Sequence, residues 1–260
     1  MNPFRSLAAA LLLSSAAAQA ALVEQPLPFT IDGVEYASVL IHDGAKPASR
    51  AILLTPNWMG INEANLKQAR LVAGMGYTVY VVDMYGASVR PQNADEAGQA
   101  AGAVKGDPAA MRARINTALA TLTGQKQVPV DPQKIGAIGF CFGGTVSLEL
   151  ARSGANVAGV VSFHGNLGTA QPASGDSLKA KVLVLHGADD PYVPAKEVDA
   201  LQAEMRAAKA DWQLVSFGNA VHSFTDVDAN MAGQAQYNAD VARRAYGMMD
   251  DFFGETLGTP

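Results

Sequence analysis

The sequence predicts an α/β fold, a mostly parallel sheet of about seven or eight strands with helices on both faces. Three observations predict it. Short, continuously apolar runs such as Ala51–Thr55, Thr78–Val82 and Val182–His186 have the length of strands buried on both sides. Between such runs lie segments with helical spacing, as a sheet of parallel strands requires for its crossovers. No internal repeat or linker interrupts this alternation, so residues 21–260 are expected to form a single domain.

The elements follow in order. Phe29–Ile41 is expected to be a hairpin turned at Asp32-Gly33, a pair that supplies the positive φ such turns need. Ala51–Thr55 is a buried strand ended by Pro56. Glu63–Met75 has helical spacing, with Gly76 as its C-cap. Thr78–Val82 is the next strand. Ala94–Val104 and Pro108–Leu122 read as helices, the second started by an Asp107 cap and a proline in the first turn. Lys134–Ile138 is a strand, Phe142–Arg152 a helix, and Val157–Phe163 and Val182–His186 are strands. Gln171–Ser177 is the most loop-like interior stretch. Pro194–Ala208 is a helix, Trp212–Phe217 a strand and Ala239–Phe253 a final amphipathic helix.

Residues 1–20 are set apart from the fold. Arg5 supplies a positive start, an Ala/Leu-rich apolar stretch begins at Leu7–Leu13, and Ala18-Gln19-Ala20 offers a small-x-small cleavage pattern before Ala21. This is the pattern of a secretory signal peptide. The stretch is shorter than the roughly 20 apolar residues of a membrane span. A lipid anchor would need a cysteine at the cleavage site, whereas the one cysteine is Cys141. The expected destination is the periplasm or the medium, with no membrane anchor.

Composition narrows the function. The chain has 260 residues, 49% of them hydrophobic, enough for a sizeable core. Its net charge of -5 and lack of any basic run argue against a nucleic-acid partner. One cysteine excludes an intrachain disulfide. In an oxidising compartment a lone cysteine is either buried and inert or kept for its reactivity, and composition by itself favours the inert reading.

Local motifs reverse that preference. Gly139-Phe140-Cys141-Phe142-Gly143-Gly144 follows one strand and opens a helix, the strand–turn–helix arrangement of a nucleophile elbow with cysteine in the nucleophile's place. After the strand Val182–His186 come two carboxylates, Asp189 and Asp190. After the strand Trp212–Phe217 comes His222. Nucleophile, acid, histidine is the chain order of α/β-hydrolases, and all three groups fall at carboxyl ends of strands, where such sheets bind ligands.

With these motifs the chain resembles the dienelactone hydrolase family, α/β-hydrolases with a cysteine nucleophile. The resemblance rests on Phe140-Cys141-Phe142-Gly143-Gly144, on His186-Gly187-Ala188-Asp189-Asp190-Pro191-Tyr192-Val193-Pro194, on His222-Ser223-Phe224, and on the tail from Tyr237 through Arg243-Arg244 to Phe252-Phe253. It implies an α/β-hydrolase fold and a triad of Cys141 as nucleophile, His222 as general base and acid, and Asp190 orienting His222. The family's His-Gly-x-x-Asp-x-x-Val-Pro spacing selects Asp190 over Asp189.

The expected chemistry is hydrolysis of a small ester or lactone through a thioester acyl-enzyme, by a monomer with no cofactor and no metal. The helix N-terminus and His222 should favour the Cys141 thiolate. The oxyanion hole is expected from the N–H of Phe142 and that of Trp58, in the loop after Ala51–Thr55. Alternatives are a thioesterase or acyltransferase on the same triad, or a binding protein on a retired hydrolase fold.

Substrate-pocket candidates are Asn57, Tyr85, His164 and Tyr192, with His164 equally readable as a structural, hydrogen-bonded side chain. His186 is expected to be packed and hydrogen-bonded, His42 to be on the surface, and Arg243 and Arg244 to make ion pairs on the last helix. Dienelactone hydrolases use a Glu near the nucleophile and Arg side chains for the substrate carboxylate. Motif matching puts Asn57 at the Glu position and Ala87 and Asp226 at the Arg positions, with Arg90 in a surface turn nearby. Neutral substrates are therefore expected to be preferred over anionic dienelactone.

Overall fold

A computed structural model describes residues 21–259, and the signal peptide expected at residues 1–20 lies outside the described residues. The elements run β1 (Leu22–Pro26), β2 (Phe29–Ile31), β3 (Val34–Tyr36), β4 (Val39–Asp43), β5 (Ala51–Thr55), α1 (Glu63–Gly74), β6 (Thr78–Val81), α2 (Ala94–Lys105) and α3 (Pro108–Gly124). They continue with β7 (Ile135–Phe140), α4 (Phe142–Arg152), β8 (Gly159–Phe163), β9 (Lys181–Gly187), α5 (Ala195–Ala207), β10 (Trp212–Phe217), β11 (Asn230–Met231), β12 (Ala235–Gln236) and α6 (Ala239–Leu257). Eight strands form one sheet in the order β1-β4-β6-β5-β7-β8-β9-β10. From β6 to β10 every pairing is parallel, while β4 and β1 join antiparallel at one edge.

The parallel strands are apolar because both of their faces are covered. Ile52 and Leu54 of β5, Ile138 of β7 and Val161 of β8 pack with α1 and α6. Leu53, Ala137 and Val160 point the other way, into a core with α2, α3, α4 and α5. Helix starts follow the caps the sequence offers: Asp107 accepts from the Ala110 N–H, and Asn62, Asn93 and Asn238 cap α1, α2 and α6 in the same manner. Gly76 sits at φ 91° just past α1, a conformation that suits glycine.

The amino-terminal edge differs from the expected single hairpin. The Asp32-Gly33 turn joins only β2 to β3, and the chain then enters the main sheet as β4. Leu22–Pro26 adds β1 outside β4, so β4 is not an edge strand. For that reason His42 is buried, 6% exposed, rather than on the surface. The sequence signal for β1 is weak because an edge strand with Glu24, Gln25 and Pro26 lacks an apolar run.

Helix α4 sits nearest the centre, with all 11 of its residues buried. Glycines permit this. A Cβ on Gly139 would fall 1.9 Å from the Gly143 carbonyl oxygen, and one on Gly143 would fall 2.0 Å from the Thr55 carbonyl oxygen. The helix thus starts in contact with the ends of β5 and β7, and the turn between β7 and α4 closes in one residue, Cys141.

Candidate active site

Cys141 has φ 54° and ψ -116°, outside the regions a non-glycine residue normally occupies. Such a conformation costs about 1–3 kcal/mol and persists only where the surroundings impose it. Here they do: the Cys141 N–H is held by the Phe163 carbonyl at 3.0 Å and by Nδ1 of His164 at 3.2 Å. The result turns the thiol away from the sheet and into a cavity of about 480 Å³. The Cys141 carbonyl accepts from the N–H groups of Gly144 and Thr145, so those of Phe142 and Gly143 precede the first helical bond.

His222 and Asp190 come from neighbouring loops that touch. A Cβ on Gly187 would lie 2.6 Å from the Ala220 carbonyl oxygen, and the Asp189 N–H donates to that same oxygen at 3.0 Å. This contact places the Asp190 carboxylate beside the His222 ring. His222 Nδ1–H donates to Asp190 Oδ2 at 2.8 Å, and the Tyr192 N–H donates to Oδ1 at 2.8 Å. Asp190 is buried while Asp189 is exposed. With Nδ1 engaged, Nε2 is the nitrogen left for the thiol. Burial lowers the His222 pKa, but the Asp190 hydrogen bond and the facing Cys141 outweigh it and push the pKa up to about 10. The balance favours the imidazolium form of His222 beside Cys141.

The loop after β5 is pinned around Trp58. The Asn57 carbonyl accepts from Gly60 N–H at 2.9 Å, and Asn57 Oδ1 accepts from Met59 N–H at 3.0 Å and from Asn65 Nδ2 at 2.9 Å. The Trp58 carbonyl accepts from the Tyr85 hydroxyl at 2.8 Å. Both peptide units flanking Trp58 are therefore fixed, and its own N–H has no acceptor among the described residues. Asn57 thus has a turn-holding role that a sequence match to a glutamate position does not reveal.

Two pocket candidates lie behind the wall instead of on it. Tyr85 holds the Trp58 carbonyl and packs on Phe142 at 5.5 Å between ring centroids, but does not line the cavity. His164 is 2% exposed and also does not line it. Its Nδ1 accepts from Cys141, so its proton is on Nε2, which donates to Thr225 Oγ1 at 2.8 Å. Burial first, and then the charge on His222, keep its pKa well below the usual histidine value. Asn57, Trp58 and Tyr192 do line the cavity with Cys141, Phe142 and His222. His186 is buried as expected, yet its Nδ1 has no hydrogen-bond partner among the described residues. Arg243 meets Asp240 at 3.6 Å on the exposed side of α6.

The His164 contact yields a test. His164→Leu leaves the Cys141 N–H with one acceptor, whereas His164→Asn keeps an oxygen near the Nδ1 position. The expected result is a fall in kcat of about 10-fold for His164→Leu, some ~1.4 kcal/mol of transition-state stabilisation, with KM little changed. His164→Asn should recover part of the loss. Steady-state kinetics on one ester with both variants would measure it, and equal losses would separate His164 from nucleophile positioning.

The cavity also takes residues that no motif marks. Lys105 and Ala101 come from α2, Asn166 from the loop after β8, and Met231 and Ala235 from β11 and β12. The small hairpin is tied to the histidine through His222 N–H to Gln234 O at 3.1 Å and Gln236 N–H to His222 O at 2.9 Å. Arg90 faces elsewhere: its guanidinium bonds Asp83 at 2.9 Å and the carbonyls of Gly86 and Val89. Among the described residues no group of three His, Cys, Asp or Glu could hold a metal ion, and no helix is long and apolar enough to cross a membrane.

A mostly parallel sheet with a cysteine on a strand–helix elbow and a histidine–aspartate pair at neighbouring strand ends defines an α/β-hydrolase. The dienelactone hydrolase family model matches residues 37–257, and the chain belongs to that family. The Caenorhabditis elegans uncharacterized protein K02A2.1 is 39% identical over 157 residues, covering 56% of this chain and 94% of its own length. The Homo sapiens carboxymethylenebutenolidase homolog is 23% identical over 193 residues, covering 74% of this chain and 77% of its own. The solved structure of m3DLH superposes with a TM-score of 0.84 at 34% identity, covering 90% of this chain and 98% of its own. That of P91, described as a dienelactone hydrolase-like promiscuous phosphotriesterase from metagenomic libraries, gives 0.83 at 35% identity, covering 91% and 99%.

Proposed function

We propose that this hydrolase cleaves neutral carboxylic esters or lactones through a thioester on Cys141. The observation that carries the reading is His222, held by a buried Asp190 at 2.8 Å and raised to a pKa of about 10 against the opposing effect of its own burial. The Cys141 thiolate attacks the carbonyl carbon and the carbonyl oxygen becomes an oxyanion. The N–H groups of Phe142 and Trp58 are suited to receive it, and each such donor is typically worth about 3 kcal/mol. As the intermediate collapses, the C–O bond breaks and His222 gives its proton to the leaving alkoxide. Neutral His222 then takes a proton from water, whose oxygen attacks the thioester, and the acid departs as the thiolate reforms. A screen of esters and lactones with wild type and Cys141→Ala tests this, and product analysis with an alcohol or amine acceptor separates hydrolysis from acyl transfer.

The cavity wall supports the preference for neutral substrates. Apart from His222 and Cys141, its charged members are Lys105 and Asp226, of opposite sign, and Arg90 is engaged with Asp83. No guanidinium is therefore offered to a carboxylate bidentately. The expected outcome is a kcat/KM for a neutral lactone above that for dienelactone of similar reactivity. A clear advantage for dienelactone would reverse this reading. The similarity to P91 supports a second activity toward neutral phosphotriesters, with the same thiolate displacing an aryloxide from phosphorus.

We propose also that the protein is exported after cleavage before Ala21. Amino-terminal sequencing of protein recovered from the periplasm or medium should begin at Ala21, and a first residue of Met1 there would refute processing.

A further inference from the structure

A second cavity of about 370 Å³ adjoins the first and shares two of its lining residues, Lys105 and Asn166. The two differ in character. Around Cys141 much of the wall is apolar, with Trp58, Phe142, Ala101, Met231 and Ala235. The second cavity is more polar than the first, about evenly divided, with Thr145, Thr169 and Glu197 beyond the shared pair set among Pro108, Met111 and Ala170.

Several of these polar groups retain bonding capacity. Asn166 Nδ2 donates to the Tyr192 carbonyl at 2.9 Å, leaving Oδ1 with no donor among the described residues. Glu197 Oε2 accepts from the N–H groups of Leu167 and Gly168, both at 3.1 Å, leaving Oε1 open. Thr169 Oγ1 accepts from Gln171 N–H and keeps its proton to donate. Lys105 makes no ion pair or side-chain hydrogen bond among the described residues. Glu149, also on this wall, is already neutralised by Arg112 at 2.7 Å and Arg152 at 3.0 Å.

Donors and acceptors interspersed along one cavity wall match hydroxyl groups, each of which gives one bond and takes up to two. A carboxylate would meet Glu197 and the open Asn166 oxygen. An alkyl group would leave all of these groups unpaired, and specificity against such a misfit is where buried or half-buried polar sites discriminate most. The apolar compartment at the thiol is then the place for the acyl group, which must stay through deacylation. The polar compartment suits the departing alcohol.

We propose that the second cavity is a subsite for a hydroxylated alcohol, so that the substrates are carboxylic esters of a sugar or polyol. This rests on the ester-hydrolase reading of Cys141. Lys105 and Asn166, at the junction, bind the first hydroxyls beyond the ester oxygen, and Thr169 and Glu197 bind those further out.

The test compares two butanoate esters of matched bulk, 6-O-butanoyl glucose and cyclohexylmethyl butanoate, with wild type, Thr169→Trp and Lys105→Met. Lys105 is exposed and Thr169 is half-buried in the loop after β8, outside the core, so both variants should fold, and thermal melting would check it. The expected ratio of kcat/KM, glucose ester over cyclohexylmethyl ester, is about 10 or more in wild type. It should fall about 10-fold in each variant, chiefly through KM for the glucose ester. A wild-type ratio near one, or a ratio that neither variant changes, overturns the subsite while leaving ester hydrolysis standing. Failure of wild type to turn over either ester, or any other neutral ester, overturns both readings.

Discussion

Cys141→Ala is expected to lower kcat/KM for any ester substrate by at least about 10⁴-fold while the protein remains folded. Groups that act as a unit in covalent catalysis lose nearly the whole rate acceleration when the nucleophile goes, leaving only what binding and the oxyanion donors supply. The substitution removes a single sulfur from a side chain facing a cavity, so no sealed void is created. It keeps the backbone bonds from Cys141 N–H to Phe163 and His164. Alanine also tolerates φ 54° no worse than cysteine does. The measurement is kcat/KM together with a thermal melt. Retained turnover in a folded variant would place the chemistry elsewhere.

Asp190→Asn is expected to cost about 10²–10⁴ in kcat/KM, with little change in the position of the His222 ring. An amide can still meet Nδ1, but it does so equally well with its N–H₂, which would move the imidazole proton to Nε2 and spoil the nitrogen that faces the thiol. It also removes a carboxylate that lifts the His222 pKa. The sign follows directly. A histidine raised to about 10 stays protonated up to that pH, so wild-type kcat/KM should hold on the alkaline side until near pH 10. Without the carboxylate, burial dominates and the protonated form is lost at lower pH. The alkaline limb of the profile should therefore move downward in Asp190→Asn. An unchanged limb would show that Asp190 does not set the charge of His222.

The parts legible in the sequence are those where backbone geometry dictates residue type. Gly139 and Gly143 mark the elbow because no Cβ fits between α4 and the ends of β5 and β7. The strands β5 to β9 are largely apolar because helices cover both faces. The carboxyl ends of β7 and β9, and the loop after β10, therefore pointed to Cys141, Asp190 and His222, which the fold brings together. What was not legible depends on contacts between distant segments. Lys105 reaches the cavity because α2 happens to run past its mouth, and nothing around Lys105 in sequence says so. His164 reads as a pocket residue at a strand end, yet its φ of 40° turns the ring back toward Cys141 and Thr225. Tyr85 likewise follows a strand but uses its hydroxyl on the Trp58 carbonyl. The β11–β12 hairpin is missed because two-residue strands carry no periodicity.

The most direct measurement of the covalent account is intact-protein mass spectrometry after rapid acid quench of the enzyme with p-nitrophenyl acetate, using wild type and His222→Gln. The account predicts a mass gain of one acetyl group, mapped by peptide analysis to Cys141 and labile to hydroxylamine as a thioester is. In His222→Gln the same adduct should persist longer, because no base remains to activate water. An acetyl group found on another residue, or p-nitrophenol release by wild type that continues after Cys141 has been blocked by alkylation, would contradict it.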